Sequence, residues 1–418
     1  MLEKQEYKGV WFLPEKPEHQ VAGTLYFTPN ETICLELIGD FSDDYLENYK
    51  ERQVIHGIVK TQTGVSKITL FDCLNYGGSS RNYVQNCELS FGKYNCQYIL
   101  LGKHLASMED SNFYGIRVSF PLFNDWYKYN KIKSDIKYDS ATFSFGYDAG
   151  NTRTHELNEN MTLKLIGAQG YETKGHEYFL FEDSYVELCS TEKSPFVKLL
   201  TNVGWFKDFY SFAAMTAIPF SEIVLDDNDG FASLYYIAEE KFEKKGSRYS
   251  DFLFTFENIE QDFGTIIKNW YEKKENSEPI IQHLITSVTY RRFSKNSDFL
   301  TLIQAIEGYY NRFEKEESLA TILTNLYEKY KDISLIALNN VDIKSVVDSR
   351  HYYTHILPAG KKKNVYKDWE LVEVREKLKP LLICCILSLI GLSNEKIEEL
   401  LSKHRYFRYS SILNKEND

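Results

Sequence analysis

The sequence VVDSRHYYTHIL, residues 346–357, lies within the part of the chain that decides the fold. Apolar residues at Ile343, Val346, Val347 and Ile356 recur at the spacing of one helix face, so we expect a helix over 341–357 that packs through this face. The same helical spacing of apolar residues occurs in segments before and after this one. The other helical runs are 281–290, 298–313, 318–330, 369–390 and 394–404. Such runs with short connections predict an antiparallel helical bundle over residues 280–418.

The first half of the chain has a strand-like pattern instead. Up to about residue 189, short segments rich in Val, Ile, Thr, Tyr and Phe are separated by Gly, Asn, Asp and Pro; examples are VAGTLYF (21–27), ICLELIG (33–39) and QVIHGIV (53–59). Their period of two is typical of half-buried antiparallel strands. We therefore predict an all-β N-terminal module, sandwich-like or an irregular barrel, in a multidomain α+β chain.

Two helical segments, 194–215 and 258–274, are predicted within the N-terminal region, with Pro195 near the first turn of the earlier one. Strands are expected around 221–227, 232–238 and 251–256. The segment EKKENSEP, residues 272–279, is charged and ends in proline, which favours a linker. The predicted domains are therefore a β-rich region over 1–275 and a helical domain over 280–418.

Charge is distributed unevenly between these two regions. The whole chain carries a net charge of −11, but 21 basic and 18 acidic residues follow from position 280 onward, which gives that part +3 and leaves −14 for residues 1–279. An acidic region is a poor binder of polyanions. We therefore expect any nucleic acid to bind the C-terminal domain.

Several other classes of protein are disfavoured by the sequence. The start MLEKQEYKGVW lacks the basic and apolar regions of a secretory signal, and the most apolar run, 381–392, is too short to span a bilayer, so we expect a cytoplasmic protein without membrane association. The seven cysteines are odd in number and form no CxxC pair. Neither a zinc site nor a disulfide framework is predicted.

The candidate chemical site is Arg350, His351 and His355, near the end of the predicted helix 341–357. Arg350 and His355 are five apart, about 140° around an ideal helix, so they can converge only around a cleft, whereas His351 and His355 are four apart and share a face. Histidine transfers protons near neutral pH, and arginine holds a planar fork that matches phosphate oxygens. These residue types fit RNA cleavage by the substrate's own 2′-hydroxyl, a reaction that requires no metal or other cofactor.

The run RHYYTH, residues 350–355, resembles the signature of HEPN nucleases, and FLTLIQAIEGYYNRF, residues 299–313, resembles their first helix. More narrowly, the last 140 residues are similar to the HEPN domain of the ApeA anti-phage proteins. GVWFLP, VAGTLYFTP and LELIG resemble the all-β N-terminal domain of that family. The resemblance implies a homodimer, formed through the HEPN domain, in which two motifs face each other across a shared cleft.

Carried over to this sequence, the resemblance implies that Arg350 neutralises the scissile phosphate, that His355 is the general base or acid, and that His351 occupies the polar position beside the arginine. Glu307 is a possible supporting acid from the first helix. The lysines of PAGKKKN, Lys361, Lys362 and Lys363, follow the motif directly and are candidates for binding the RNA backbone, although a solvated loop has the same composition.

The resulting hypothesis is an anti-phage defence effector: a HEPN endoribonuclease that cleaves host or phage RNA, leaves 2′,3′-cyclic phosphates and causes abortive infection. An unidentified phage-derived trigger would act through the N-terminal module. One alternative is a ligand-binding β module with a non-catalytic HEPN domain that only dimerises. Another is a toxin whose Tyr352 or Tyr353 is modified by a nucleotidyl group. A purely structural alternative is Arg350 in a surface ion pair with Asp348 or Glu307 and His355 as a hydrogen-bonded histidine at a helix end. A zinc site on His351 and His355 is a further alternative, for which no third ligand is evident.

Overall fold

The computed structural model of this chain describes most of its residues. The described ranges are 4–41, 52–76, 82–84, 87–109, 111–128, 133–140, 142–146, 152–237, 252–289, 295–358, 360–361, 364–405 and 407. By their contacts the residues form two compact units: 1–124, 129–204 and 219–243 in the first, and 125–128, 205–218 and 244–418 in the second. The predicted α+β class is confirmed, with a β-rich region followed by helices.

The described strands belong almost entirely to the first unit and to one antiparallel sheet. They are β1 Gln5–Phe12, β2 Val21–Thr28, β3 Thr32–Ile38, β4 Gln53–Thr61, β5 Gly64–Asn75, β6 Asn82–Val84, β7 Cys87–Leu89, β8 Phe91–Asn95, β9 Tyr98–Leu101, β10 Asn112–Ser119, β11 Lys133–Lys137, β12 Thr142–Gly146, β13 Arg153–Asn158, β14 Met161–Lys174, β15 Glu177–Pro195, β16 Glu222–Asp226 and β17 Phe231–Tyr236. The order in the large sheet is β13-β14-β15-β10-β16-β17-β9-β5-β4-β1-β2-β3-β8, and β6–β7 and β11–β12 form separate pairs.

One end of this sheet closes into a barrel. β8 pairs with β3 and also with the end of β5, where Leu74 lies opposite Asn95, so β5, β4, β1, β2, β3 and β8 form a ring. Side chains of alternate residues fill it, among them the fully buried Trp11 and Leu25. A Cβ atom on Gly57 would lie 2.5 Å from the Trp11 ring, so glycine makes room for the tryptophan. Of the two predicted β architectures, the structure has the irregular barrel, extended by further strands.

The helices are α1 Phe123–Tyr127, α2 Phe196–Ala214, α3 Phe256–Ile259, α4 Phe263–Glu272, α5 Lys274–Thr289, α6 Lys295–Phe313, α7 Leu319–Lys329, α8 Ser334–Leu338, α9 Ile343–Thr354, α10 Trp369–Leu389 and α11 Asn394–Lys403, with a 3₁₀ turn at Tyr138–Ser140. The helical runs expected from the sequence are present, with the run at 258–274 divided into α3 and α4. α1 and α8, each five residues long, were not predicted.

The bundle helices begin where the sequence provides caps. Ser318, Asp342 and Ser393 each accept a hydrogen bond from a backbone N–H in the first turn, at the starts of α7, α9 and α11. α10 packs against α6, α8 and α11. Every side chain from Leu378 to Leu387 in α10 is buried, as predicted for the apolar run. This helix is the centre of the bundle.

The second unit also contains an aromatic cluster around Trp126. The Trp126 side chain is fully buried, and its Nε1 donates a hydrogen bond to the carbonyl oxygen of Phe254 at 2.9 Å. The rings of Phe209, Phe256 and Phe263 meet it edge to face, with centroids 6.3, 5.9 and 6.4 Å away. This geometry is favourable for aromatic pairs beyond the area that they bury.

The expected linker at 272–279 is wrong, because α4 ends at Glu272 and α5 begins at Lys274. Glu275 and Glu278 lie on the exposed side, whereas Ser277 is buried and donates to the carbonyl oxygen of Lys273. The charged composition therefore marks one face of a helix. The domain boundary at 275–280 stays a prediction, because compact units need not coincide with evolutionary domains.

The strand expected at 251–256 is also wrong. Residues 252–255 have irregular backbone, and Phe256 begins α3 with Thr255 as its N-cap. Phe252, Leu253 and Phe254 are all buried. The pattern of residue types at 251–256 predicted a strand with one buried and one exposed face. It does not match the burial of these residues in the structure.

Candidate functional site

The candidate site lies at the C-terminal end of α9. His355 caps this helix, and its backbone N–H donates to the carbonyl oxygen of His351 at 3.2 Å. Leu357 donates from its N–H to the carbonyl oxygen of Tyr352 at 3.1 Å, which closes the last turn. Between them Ile356 has φ +49°, a left-handed conformation that is strained for a β-branched residue. The chain thus turns sharply just after His355.

This turn corrects the expected packing of Ile356. The helical pattern placed Ile356 on the buried face, but α9 ends at Thr354 and Ile356 is 89% exposed. Val346, within the helix, is fully buried as predicted. The helical spacing of apolar residues therefore predicts burial only for residues within α9.

Arg350 pairs with Glu307 of α6. Its Nη2 lies 3.4 Å from Oε1 and 3.3 Å from Oε2 of the carboxylate. The Arg350 side chain is 35% exposed and that of Glu307 is 21% exposed. Both contacts use Nη2, one nitrogen of a guanidinium group that carries N–H donors on three nitrogens. Glu307 therefore contacts one edge of the guanidinium group and so orients the Arg350 side chain.

His351 and His355 form a second pair. Their ring centroids are 4.6 Å apart with the planes inclined by 55°, so the four-residue spacing brings the rings together as expected. Both residues are exposed. In the described part of the chain, no group of three or more His, Cys, Asp and Glu residues is arranged to hold a metal ion. Arg350 and His355 thus belong to different pairs at the same helix end.

Two polar residues on one face of α9, Ser349 and Tyr353, bind the main chain of Tyr366. The Tyr366 N–H donates to Oγ of the fully buried Ser349 at 2.8 Å, and the Tyr353 hydroxyl donates to the Tyr366 carbonyl oxygen at 2.9 Å. The Ser345 hydroxyl, one turn earlier, donates to the carboxylate of Asp342. Burial raises the pKa of Tyr353 above its ordinary value, so its hydroxyl remains a donor at neutral pH. Both main-chain polar groups of Tyr366 are therefore bonded to the motif helix.

Of the three candidate lysines, the structure describes only Lys361. It is exposed, and its N–H donates to the carbonyl oxygen of Pro358 at 3.1 Å in a turn that follows the motif. Lys362 and Lys363 lie outside the described residues. Lys361 is thus only six residues from His355 along the chain.

A cavity of about 210 Å³ lies at the opposite end of α9, next to its N-cap, Asp342. Glu370 and Glu373 contribute two further carboxylates to its lining, alongside Lys377. An acidic cavity repels phosphate. The candidate side chains lie at the other end of the helix.

Family models match both parts of the chain. The model described as ApeA N-terminal domain 1 matches residues 6–270, and the model described as Apea-like HEPN matches residues 257–396. The first of these matches covers more than half of the 418 residues. The chain belongs to the ApeA family. No curated protein and no solved structure matches it significantly.

ApeA-family membership gives Arg350 and His355 a context, because both lie inside the Apea-like HEPN match. A HEPN domain of this kind supports membership of an anti-phage defence effector family and suggests a nuclease. None of the described helices of this ApeA-family chain is long and apolar enough to cross a membrane. The roles of the individual site residues stay predictions.

Sequence analysis missed the contact of Tyr366 with α9 in this ApeA-family HEPN domain. A signal was present, since Ser345, Ser349 and Tyr353 are four apart and share one helix face. The sequence does not indicate which residue binds to this helix face, because Tyr366 bonds to Ser349 and Tyr353 through main-chain atoms.

Proposed function

We propose that this chain is a HEPN endoribonuclease of anti-phage defence, which cleaves RNA by attack of the 2′-hydroxyl on the adjacent phosphate and leaves a 2′,3′-cyclic phosphate. The observation that carries the proposal is the helix end at which Arg350, oriented by Glu307, lies near the paired rings of His351 and His355. The chemistry needs proton transfer and neutralisation of charge on the phosphorane, and these side chains supply both. It requires no metal ion.

Each side chain has a distinct part in this scheme. Arg350 binds the scissile phosphate through the guanidinium nitrogens that do not contact Glu307. His355 takes the proton from the 2′-hydroxyl or protonates the leaving 5′-oxygen, and His351 orients the ring of His355. In a homodimer formed through the HEPN domain, Arg350 of one copy and His355 of the other can act on the same phosphate. Lys361, Lys362 and Lys363 contribute backbone contacts to the RNA.

Glu307 acts as a positioning residue in this proposal. We expect Glu307→Ala to lower kcat about tenfold, because an Arg350 side chain that is not held in place stabilises the transition state less well. Glu307→Gln keeps an oxygen acceptor for Nη2 and is expected to restore most of the rate. The control is Glu314→Ala, which removes a different ion pair, with Lys329. If the alanine and glutamine variants are equally impaired, or neither is, Glu307 does not position Arg350.

The N-terminal β-rich region would sense infection and restrain the nuclease in the cytoplasm until a phage-derived trigger appears, after which RNA cleavage would cause abortive infection. Its charge of −14 supports restraint, since an acidic neighbour disfavours RNA binding. DNA lacks the 2′-hydroxyl and is spared in this scheme.

The decisive experiment incubates purified wild-type and Arg350→Ala proteins with total RNA in excess EDTA, alone and with lysate from phage-infected cells. Fragments from the wild type alone, with 2′,3′-cyclic phosphate ends, are the expected result. A matched oligonucleotide with 2′-O-methyl groups should remain intact. Equal cutting by both proteins, or an inert wild type under both conditions, would instead favour a ligand-binding module with a non-catalytic HEPN domain.

A further inference from the structure

Two histidines of the first unit lie with their rings stacked. The imidazoles of His56, in β4, and His104, which follows β9, have centroids 4.4 Å apart and planes inclined by only 3°. The ring of Phe12 stands at right angles to both, with its centroid 5.9 Å from that of His56 and 5.6 Å from that of His104. His56 is 9% exposed and His104 is half-buried, so water has limited access to the pair.

Each histidine binds the main chain next to the other one. Nε2 of His56 donates to the carbonyl oxygen of Leu105 at 2.9 Å, and Nε2 of His104 donates to the carbonyl oxygen of Gly57 at 2.8 Å. A carbonyl oxygen can only accept, so the proton of each neutral ring lies on Nε2, and Nδ1 is the nitrogen that takes up a further proton. Two crossed hydrogen bonds thus connect β4 to the segment 102–109.

The same segment is also bound to β5. The Gly102 N–H donates to the Lys67 carbonyl oxygen at 2.8 Å, and the Leu105 N–H donates to Oγ1 of the buried Thr69 at 3.1 Å. Amides bonded in this way exchange with solvent only when the structure around them opens. These two amides therefore report whether the segment is attached.

The charges around the histidine pair oppose its protonation. Burial lowers the pKa of His104 below its ordinary value, and positive charge on His56 and Lys67 lowers it further, although the hydrogen bond to the main chain counteracts part of the shift. Lys103, the residue before His104, is bound through Nζ to the Asp227 carboxylate. Within the part of the chain that the structure describes, no carboxylate acts on His104 to offset these effects.

A second proton on the pair is strongly disfavoured while the segment is attached. Two parallel imidazolium rings with centroids 4.4 Å apart would repel each other in a site with little water. When the segment opens, both rings reach solvent and titrate at about pH 6.5. The open form therefore binds more protons than the closed form below about pH 6.5, and acid favours opening.

We propose that the His56–His104 stack is a pH-sensitive clamp, which holds the segment 102–109 on β4 at neutral pH and releases it in acid. If the closed form binds one proton fewer than the open form, the opening constant of the segment rises about tenfold from about pH 7.5 to about pH 5.5. The stabilisation by the clamp is complete above this range and decreases as the pH falls through it. Both histidines lie in the β-rich unit, and the clamp does not depend on the proposed ribonuclease function.

The experiment measures hydrogen exchange of the full-length protein by mass spectrometry, in the peptide that covers residues 102–109. Exchange rates between about pH 7.5 and about pH 5.5 are divided by the intrinsic rates at each pH, which gives the opening constant. The variants are His104→Gln and His56→Gln, because glutamine keeps an N–H donor but does not titrate. The control is His19→Gln, which removes an exposed histidine from the same unit.

The opening constants of the wild type and of His19→Gln are expected to rise about tenfold across this range, and those of the two clamp variants about twofold or less. A wild-type opening constant that does not change with pH would overturn the clamp. An equal rise in the wild type and in both clamp variants would also overturn it, since other groups would then cause the pH dependence. If one clamp variant does not fold, as judged by circular dichroism, the wild type and the other variant still decide. RNA cleavage is not measured here, so the ribonuclease proposal stands or fails separately.

Discussion

Replacing His355 with alanine is expected to lower kcat for RNA cleavage by roughly 10²–10⁴-fold, the range that general acid–base catalysis contributes. The alanine keeps the helix end, whose closing hydrogen bonds come from the backbone of residue 355 and from Leu357. It removes the imidazole that transfers the proton. KM should change much less than kcat, because phosphate binding is assigned to Arg350 and the lysines.

The control for this substitution is His19→Ala, which removes an exposed histidine from the first unit. His19→Ala should retain wild-type rates. Free imidazole in the buffer should restore part of the activity of the His355 variant, since it supplies the lost proton carrier. Wild-type kcat in His355→Ala, or a loss seen only in KM, would show that His355 is not the proton-transfer residue.

Replacing Trp126 with alanine is expected to have the largest effect on stability, about 3–5 kcal/mol, as for other buried tryptophans truncated to a methyl group. The substitution removes the hydrogen bond to the Phe254 carbonyl oxygen and leaves a cavity among Phe209, Phe256 and Phe263. Close packing in protein interiors lets such a cavity collapse only partly.

The measurement is the urea midpoint of unfolding, followed by far-ultraviolet circular dichroism. Trp369→Ala is the matched control, because the same side chain is lost from an exposed site, where a change within about 0.5 kcal/mol is expected. A Trp126→Ala midpoint equal to that of Trp369→Ala would mean that the cluster contributes little to the stability of the second unit.

Much of the helical part could be predicted from sequence, because its signals are local. Ser318, Asp342 and Ser393 lie just before apolar periodic runs, and each caps a helix in the structure. Charge patterns were less reliable: EKKENSEP has the composition of a linker but forms the end of α4 and the start of α5. A charged composition indicates exposure to solvent. Both a linker and the outer face of a helix are exposed, so the composition does not distinguish them.

The β region was predicted in its strands but not in its closure. A period of two tells which side chains face inward, and it does so for Leu25 and its neighbours in the barrel. It does not indicate that the end of β5 pairs with β8, where Leu74 lies opposite Asn95. Barrel and sandwich therefore share one sequence pattern.

The candidate site also combines residues that could be predicted from the sequence with contacts that could not. Arg350, His351 and His355 were found because they lie within six residues of one another and carry distinctive chemistry. Glu307, 43 residues from Arg350, was weighed both as a supporting acid and as an ion-pair partner, and the structure provides the ion pair. Main-chain bonding, as at Tyr366, has no side-chain signature to find.

The bonding of Tyr366 to α9 also bears on how the loop that precedes it could evolve. Pro358 begins a turn directly after the motif, and Tyr366 is held by Ser349 and Tyr353, so both ends of the loop are fixed. When the ends of a loop are fixed, doubling its length adds only about 0.6 kcal/mol of closure entropy. Relatives could therefore lengthen or shorten this loop, and exchange its lysines, while the geometry of the motif helix is preserved. If the proposed ribonuclease function is correct, insertions in this loop would change the range of substrates without changing the proposed catalytic residues.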